Sequence, residues 1–345
     1  LQADASMTLG LILLAAALSA WILTSVVRRY ALASSMIDVP MERSSHTVPT
    51  PRGGGLAVVL SFVLGGAALV SVLEELWQPV LATAGAGAIV ALIGFVDDHR
   101  DLSVRLRLLA HFVAAGFGLW LLGGVPDELV PTDSWLLKAL LNVVSVIGLV
   151  WLLNLYNFMD GIDALASAQA ICAGTGGAIL ALVSGQHLSS PAVFLPLLLA
   201  ASVAGFLPWN LPPARIFMGD VCSGFLGIVV GLLALLASHA EASLLYGWAI
   251  LLAVFVTDAT LTLVRRALRG ERIHLPHRSH AYQHAARHLG GHGPVSIIVV
   301  GICVLWLLPL ALLAVLGVLP DWLAVVIAYL PLIALALRLG AGEPG

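Results

Sequence analysis

Charge is scarce in this chain. Of its 345 residues, 10% are Asp, Glu, Lys or Arg and 60% are hydrophobic. No water-soluble domain of this size needs so much apolar surface. Lysine occurs once, at Lys138, among 16 basic residues. Cysteine is also rare. Cys172, Cys222 and Cys303 all fall in or beside apolar stretches, without metal-ligand spacing or a disulfide framework. They read as small apolar packing residues. There is no internal repeat, low-complexity tract or stretch polar enough for a separate soluble domain, so residues 1–345 are expected to form a single membrane-embedded domain. The first apolar stretch lacks the basic lead of a signal peptide. Asp4 precedes it and Arg28 and Arg29 follow it, so the charge order is reversed. It is therefore expected to be a first span with its N-terminus outside. Residues 1–6, before Met7, are set aside.

What the chain does have is long hydrophobic runs. A spanning helix needs ~20 mostly apolar residues, because its backbone must satisfy its own hydrogen bonds in lipid. About eleven such stretches are found by hydropathy. They cover residues 8–27, 54–73, 78–96, 108–123, 135–153, 164–185, 191–208, 222–239, 245–264, 294–317 and 322–338. The expected fold class is all-α, a polytopic membrane protein with its N-terminus outside and its C-terminus cytoplasmic. In that topology every Arg falls in a cytoplasmic loop or at a cytoplasmic helix end, as the positive-inside rule requires. Lys138 is the exception, near an outer helix end where it can snorkel.

The same sorting places almost every residue capable of chemistry in five cytoplasmic segments, 38–55, 97–107, 154–163, 208–223 and 265–292. A transporter or flippase of an anionic lipid, the competing non-enzyme reading, would place polar groups at the bilayer midplane. Three of the five segments carry acidic clusters. Asp97 and Asp98 are adjacent carboxylates that repel unless a cation is near. A solvated helix end, helped by Arg100, Arg105 and Arg107, is the alternative. In NLYNFMDGIDALA, Asn157, Asp160 and Asp163 are spaced by three and share one face of a helix, which Asn154 extends. Gly161 allows close approach or a bend. Such oxygen groups suit a hard cation such as Mg²⁺, whereas a helix cap with solvated acids is the plainer reading. In PARIFMGDVCSGFLG, Asp220 is a helix-capping or metal-binding candidate, and Phe217 is either an interfacial aromatic or a platform for a nucleobase.

Two segments are basic. The first loop places Arg43, His46 and Arg52 beside Gly53–Gly55, whose backbone can hold phosphate oxygens. An ordinary positive-inside loop is the alternative. The last long loop has six histidines in 19 residues, from His274 to His292. His277, His280, His284 and His288 are expected on one helical face near Arg278 and Arg287. That face suits diphosphate, although a zinc site and a solvated basic loop stay open. Asp258 lies inside a span and is a functional candidate for that reason.

Taken in order, GFVDDHRDL, NLYNFMDGIDALA, PARIFMGDVCSGFLG and the histidine loop resemble the polyprenyl-phosphate N-acetylhexosamine-1-phosphate transferases. The resemblance runs from about Asp38 to His292, and HRSHAYQH looks most like the O-antigen-initiating branch. Two positions depart from the family pattern: Ala164 and Cys222 each stand where glycine is usual. The resemblance implies transfer of an N-acetylated amino-sugar 1-phosphate from a UDP-sugar to undecaprenyl phosphate, with release of UMP. It implies Mg²⁺, or Mn²⁺ in its place, at Asp98, Asp160 and Asp220, with Asn157 alongside. Asp97 would face the lipid phosphate as a candidate base. Asp163, Gly161 and Phe217 would hold uracil. His277, His280 and Arg278 would grip the diphosphate, assisted by Arg52 and His46. Direct displacement and a phospho-aspartate intermediate both stay open. A CDP-alcohol phosphotransferase, which also carries an acidic DG motif, needs an arginine that DGIDALA lacks. The expected setting is a bacterial inner membrane with the site at its cytoplasmic face. No nucleic-acid partner is expected, and a homodimer is among the open arrangements.

Overall fold

The computed structural model describes residues 2–40, 48–100, 102–130, 134–272 and 277–344, apart from the side chains of residues 2–5, Asp98 and His99. His46 and Arg43 therefore lie outside the described residues. The described chain is almost wholly helical, as apolar segments without water to pair their backbones must be. Its helices are α1 (Gln2–Ala33), α2 (Leu56–Val72), α3 (Trp77–Val80), α4 (Ala86–Arg100), α5 (Val104–Leu121), α6 (Trp135–Met159), α7 (Leu165–Val183) and α8 (Pro191–Asn210). There follow α9 (Asp220–Ser238), α10 (Ser243–Leu251), α11 (Ala253–Leu268), α12 (Ala281–His288), α13 (His292–Ile302), α14 (Leu308–Val315) and α15 (Asp321–Arg338). Single π-helical turns weld α3 to α4 and α13 to α14. Among the described residues, nine helical stretches are long and apolar enough to cross a membrane. The bent pair α10–α11 and the shorter α2 complete the set of segments expected from hydropathy.

The ninth expected span, residues 245–264, is not one straight helix. α10 and α11 meet at 67°, with Leu252 between them. A break in lipid frees a carbonyl that must find a donor. Here the side chain of fully buried Gln169 donates from Nε2 to the Leu251 carbonyl at 2.9 Å. The Cys303 thiol in turn donates to Gln169 Oε1 at 3.0 Å.

At the centre stands α9, whose apolar stretch is entirely buried. It packs against α4, α6, α7, α8 and α10. Asp220, its first residue, is thereby fixed at the end of the innermost helix. The only strands among the described residues are β1 (Ile37–Asp38) and β2 (Thr50–Pro51), antiparallel with Ile37 opposite Pro51 and Asp38 opposite Thr50. The chain leaving β2 pairs with residues 217–218. Phe217 N–H donates to Pro51 O at 2.8 Å, and Gly54 and Gly55 N–H donate to the Phe217 and Met218 carbonyls at 2.9 and 3.0 Å. The first loop is thus strapped to the segment that leads into Asp220.

Candidate active site

The acidic turn begins where α6 ends. Met159 is the last helical residue, Asp160 caps the C-terminus at φ −85° and ψ 36°, and Ala164 adopts a left-handed φ of 64°. Asn157, Asp160 and Asp163 therefore do not share a helical face as their spacing predicts. A turn gathers the two acids instead. Asn157, still on the helix, accepts from Ser223 Oγ of α9 at 3.2 Å. Asn154 does not extend the site, because its amide donates back to Val150 O at 2.7 Å.

The turn is held by Asn210, a residue that motif spacing did not single out. Asn210 is 4% exposed. Its Oδ1 accepts from Ala164 N–H at 3.0 Å and from Ser167 Oγ at 3.1 Å, and its Nδ2 donates to Ile216 O at 3.3 Å. One amide thus ties the acidic turn to the segment carrying Phe217 and Asp220. A signal was present in the sequence: an asparagine ending an apolar helix just before Pro212 and Pro213. Gly161 has a protein neighbour. A Cβ there would lie 2.0 Å from the Tyr282 hydroxyl, which donates to Phe158 O at 3.0 Å.

Asp160 and Asp220 lie within electrostatic range of each other, and Asp163 is close by. Burial, and then the charges of Asp220 and Asp163, push the Asp160 carboxyl well above the ordinary carboxylate range. Asp220 in turn feels Asp97, Arg107 and Arg52. Its carboxylate makes no capping hydrogen bond, and the cap position belongs to Gly219 at φ 79°. Cys222 causes no disruption beside it. It is buried against Gly55, where a Cβ would fall 2.1 Å from the Cys222 Cβ. A bare Gly55 makes room for the thiol.

Asp97 has both oxygens engaged. Oδ2 meets Arg107 Nη1 at 2.6 Å, and Oδ1 accepts from Leu102 N–H at 2.7 Å. Asp98 stands next to it on α4, with its side chain outside the described set. Among the described residues no three His, Cys, Asp or Glu side chains form a closed metal shell. Mg²⁺ does not require one, because it commonly takes one or two carboxylates together with substrate phosphates and water. The Asp160–Asp220 pair, all-oxygen and mutually repelling, fits that mode of binding.

Beside the acids opens a cavity of about 1190 Å³. Asp163, Phe217 and Arg278 line it together, along with Arg28, Arg215 and Arg287. Asp163 is fixed on both oxygens: Oδ2 accepts from Ala214 N–H at 3.0 Å, and Oδ1 lies 3.2 Å from His292 Nδ1. Four guanidiniums against one carboxylate suit an anionic guest.

The histidine loop differs from its expectation. His277, His280, His284 and His288 do not form one helical face, because α12 starts only at Ala281. Asp258 sets that start. Its Oδ1 accepts from Ala281 N–H at 2.8 Å and its Oδ2 from Tyr282 N–H at 2.9 Å, and His280 Nδ1 lies 3.3 Å from Oδ1. His280 is 2% exposed and stacks between His277 and Tyr282. Burial, then the neighbouring His280 and Arg266, hold the His277 pKa down at about 4. Burial also lowers that of His284. The expected single histidine face is therefore replaced by a stack in which His277 is held neutral at pH 7, and the arginines of the neighbouring cavity carry the positive charge. The glycine-rich backbone near Arg52 is also otherwise occupied, since the Gly54 and Gly55 N–H groups are bound to Phe217 and Met218.

The arrangement defines a polytopic membrane protein with paired carboxylates and an arginine-lined cavity at one end of its bundle. The family model for glycosyl transferase family 4 matches residues 80–238. The chain is 31% identical over 290 residues to a Bacillus subtilis (strain 168) protein named "Probable undecaprenyl-phosphate N-acetylglucosaminyl 1-phosphate transferase", covering 82% of this chain and 78% of that one. It is 30% identical over 320 residues to the decaprenyl-phosphate N-acetylglucosaminephosphotransferase of Mycobacterium leprae (strain TN), covering 81% and 78%. A Thermotoga maritima protein named undecaprenyl-phosphate alpha-N-acetylglucosaminyl 1-phosphate transferase is 27% identical over 284 residues, covering 82% and 84%. The chain belongs to glycosyl transferase family 4.

Proposed function

We propose that this protein is a polyprenyl-phosphate sugar-1-phosphate transferase. It moves an N-acetylated amino-sugar 1-phosphate from a UDP-sugar to undecaprenyl phosphate and releases UMP. The observation that carries this reading is the junction of two environments. The Asp160–Asp220 pair sits at the end of membrane helices, next to a cavity lined by Phe217, Asp163 and four arginines. The cavity suits a soluble nucleotide diphosphate, and the helix ends suit a lipid headgroup. The relatives' names, all of them polyprenyl-phosphate N-acetylglucosamine phosphotransferases, support the same class and favour N-acetylglucosamine as the sugar. A start to O-antigen synthesis rests on the likeness of HRSHAYQH alone.

In the proposed reaction the lipid phosphate attacks the sugar-bound phosphorus and UMP leaves. A phosphate monoester with a second pKa of ~6 is largely ionised at neutral pH, so no strong base is needed. Asp97, already held by Arg107, fixes positive charge where the lipid phosphate arrives. Asp163 and Phe217 orient the base, and Arg278 neutralises the diphosphate. Such transfers depend on positioning and charge more than on covalent help. Mg²⁺ held by Asp160 and Asp220, and by Asp98 as the family resemblance implies, would supply charge neutralisation for the diphosphate.

The test is UMP release by purified protein given undecaprenyl phosphate and, in turn, UDP-N-acetylglucosamine, UDP-N-acetyl-fucosamine and UDP-N-acetyl-quinovosamine. UMP formed only when lipid acceptor and donor are both present supports the reading, and the preferred donor settles the sugar. No UMP from any donor of the panel with Mg²⁺ or Mn²⁺ would overturn it.

A further inference from the structure

Asp163 is gripped from two sides, and α13 supplies one of them. His292, the first residue of α13, places Nδ1 3.3 Å from the Asp163 nitrogen, whose N–H donates to it, and 3.2 Å from Asp163 Oδ1. One turn further on, Ser296 Oγ donates to the Asp163 carbonyl at 2.9 Å. From the other side the Ala214 N–H donates to Oδ2 at 3.0 Å. The backbone nitrogen and Oδ1 of one residue thus converge on a single ring atom, which restricts the side-chain torsion. Ala214 then sets the tilt of the carboxylate plane.

The turn does not need this much to fold. Ser296 and Asn210 already satisfy its backbone, at the Asp163 carbonyl and the Ala164 N–H. The imidazole and Ala214 act on the side chain as well, and that side chain lines the arginine-rich cavity, as His292 and Phe217 also do. The Asp163 side chain keeps 9% of its surface open and that of His292 keeps 14%, so a guest in the cavity can reach the carboxylate. An ionised carboxylate only accepts, and it has about four lone-pair sites. Each oxygen of Asp163 therefore keeps a lone pair for a guest's N–H, in a direction that His292 and Ala214 set.

We propose, on the transferase reading in which Asp163 and Phe217 hold the donor's base, that His292 is a positioning residue that makes the site select uracil over cytosine. It does so by holding Asp163 at one angle. Bases outside a duplex are read along their Watson–Crick edges. Uracil carries a donor there at N3, between two carbonyls. Cytosine carries a lone pair at N3, and its donor is the neighbouring exocyclic amine. A carboxylate free to turn finds a donor on either base. One fixed in orientation accepts from uracil N3–H and meets a lone pair on cytosine N3. A site built around one such hydrogen bond discriminates because the mismatched guest leaves buried polar groups unpaired. His292 acts through Asp163 and needs no contact with the base itself.

The full chain in detergent with Mg²⁺ is titrated with UMP and with CMP, and the ratio of the two dissociation constants is read by calorimetry. UMP release from UDP-N-acetylglucosamine and undecaprenyl phosphate is measured on the same preparations. The native chain should hold UMP about tenfold or more tighter than CMP, the scale of one hydrogen bond to a charged group. His292→Ala should bring that ratio to within about threefold of unity and raise the KM for the UDP-sugar about five- to tenfold, with the lipid KM unmoved. Two further variants separate positioning from folding, and they carry the test even where alanine fails to fold. Asparagine places an amide atom where Nδ1 stands, and glutamine places one where Nε2 stands. His292→Asn should restore the UMP preference and His292→Gln should not. A ratio unchanged in His292→Ala, or the same ratio in the Asn and Gln variants, would overturn the positioning role, while UMP release by the native chain still upholds the transferase reading. Equal binding of UMP and CMP by the native chain would overturn the selection of uracil. A native chain that neither binds nor releases UMP would overturn the transferase reading and this inference together.

Discussion

Asp220 owes its place to its neighbours rather than to helix capping. Gly219 makes the turn and α9 is buried along its length, so the carboxylate is left for a ligand. Asp220→Asn keeps the size and removes the charge. We expect turnover to fall by about 10²-fold or more, the scale seen when one preorganised charge-stabilising group is lost, with an unchanged melting profile in detergent. Near-native turnover at limiting Mg²⁺ would remove Asp220 from the metal site. Phe217 lines the arginine-rich cavity beside Asp163. Loss of an aromatic–base stack costs ~1–3 kcal/mol, so Phe217→Ala should raise the KM for the UDP-sugar about five- to hundredfold and leave that for the lipid nearly unchanged. An unaltered donor KM would make the ring an interfacial anchor only. At Ala164 the backbone is left-handed, φ 64°. An L-residue there costs ~1–2 kcal/mol, and glycine's looser unfolded chain returns ~0.4–1 kcal/mol of that. Ala164→Gly should therefore stabilise the fold by about 0.5–1 kcal/mol, read as a higher unfolding midpoint. The family glycine at this position thus has a backbone reason, which this chain overrides at some cost in strain.

At the scale of elements, the apolar segments were legible because lipid forces each to be a helix of set length. What hydropathy could not show were the places where a tertiary partner decides. The break at Leu252 depends on Gln169, eighty-odd positions away in sequence and pointing from another helix. The end of α6 at Met159 depends on Asn210 holding the turn from α8. The start of α12 depends on Asp258, which reassigns the histidines from one helical face to a stack and a cap. The candidate residues Asp163, Phe217 and Arg278 were found by motif and do meet at one cavity. His280 was found by the same route and is buried against Asp258. Spacing gives the residue types, while only the fold says which are already engaged.

The stack has a pH consequence. His277 titrates at about 4 in the fold and near 6.5 when unfolded. Between those values the unfolded chain binds more protons, so stability rises with pH across the window. It is complete above about 6.5 and is lost progressively as pH falls toward 4. Thermal unfolding in detergent should show this decline below pH 6.5, and His277→Gln should flatten it. Activity should not fall between pH 7 and 8 on account of His277, because that ring is already neutral there. A histidine resonance titrating near 7 and assigned to His277 would contradict this account.

For the whole molecule the open question is which way the bundle faces, and the scarcity of lysine answers it experimentally. Lys138 is the only lysine in the chain. It lies near the start of α6, its Nζ 2.5 Å from an oxygen of exposed Asp127. Asp160 caps the other end of the same helix. At 1.5 Å per residue the two are about 30 Å apart, roughly the thickness of a hydrocarbon core. A label on Lys138 therefore reports the side opposite the acidic site. The arginines gather at the Asp160 end and the short acidic loops at the Lys138 end, so the positive-inside rule places Lys138 outside. A membrane-impermeant amine reagent should modify the Lys138 peptide in right-side-out vesicles and not in sealed inside-out ones. Lys138→Arg should abolish that modified peptide, which separates it from the N-terminal amine. UDP-sugar added outside sealed inside-out vesicles should be used without permeabilisation, because its cavity then faces the medium. Labelling of Lys138 in inside-out vesicles alone would reverse the orientation, and with it the assignment of the nucleotide cavity to the cytoplasm.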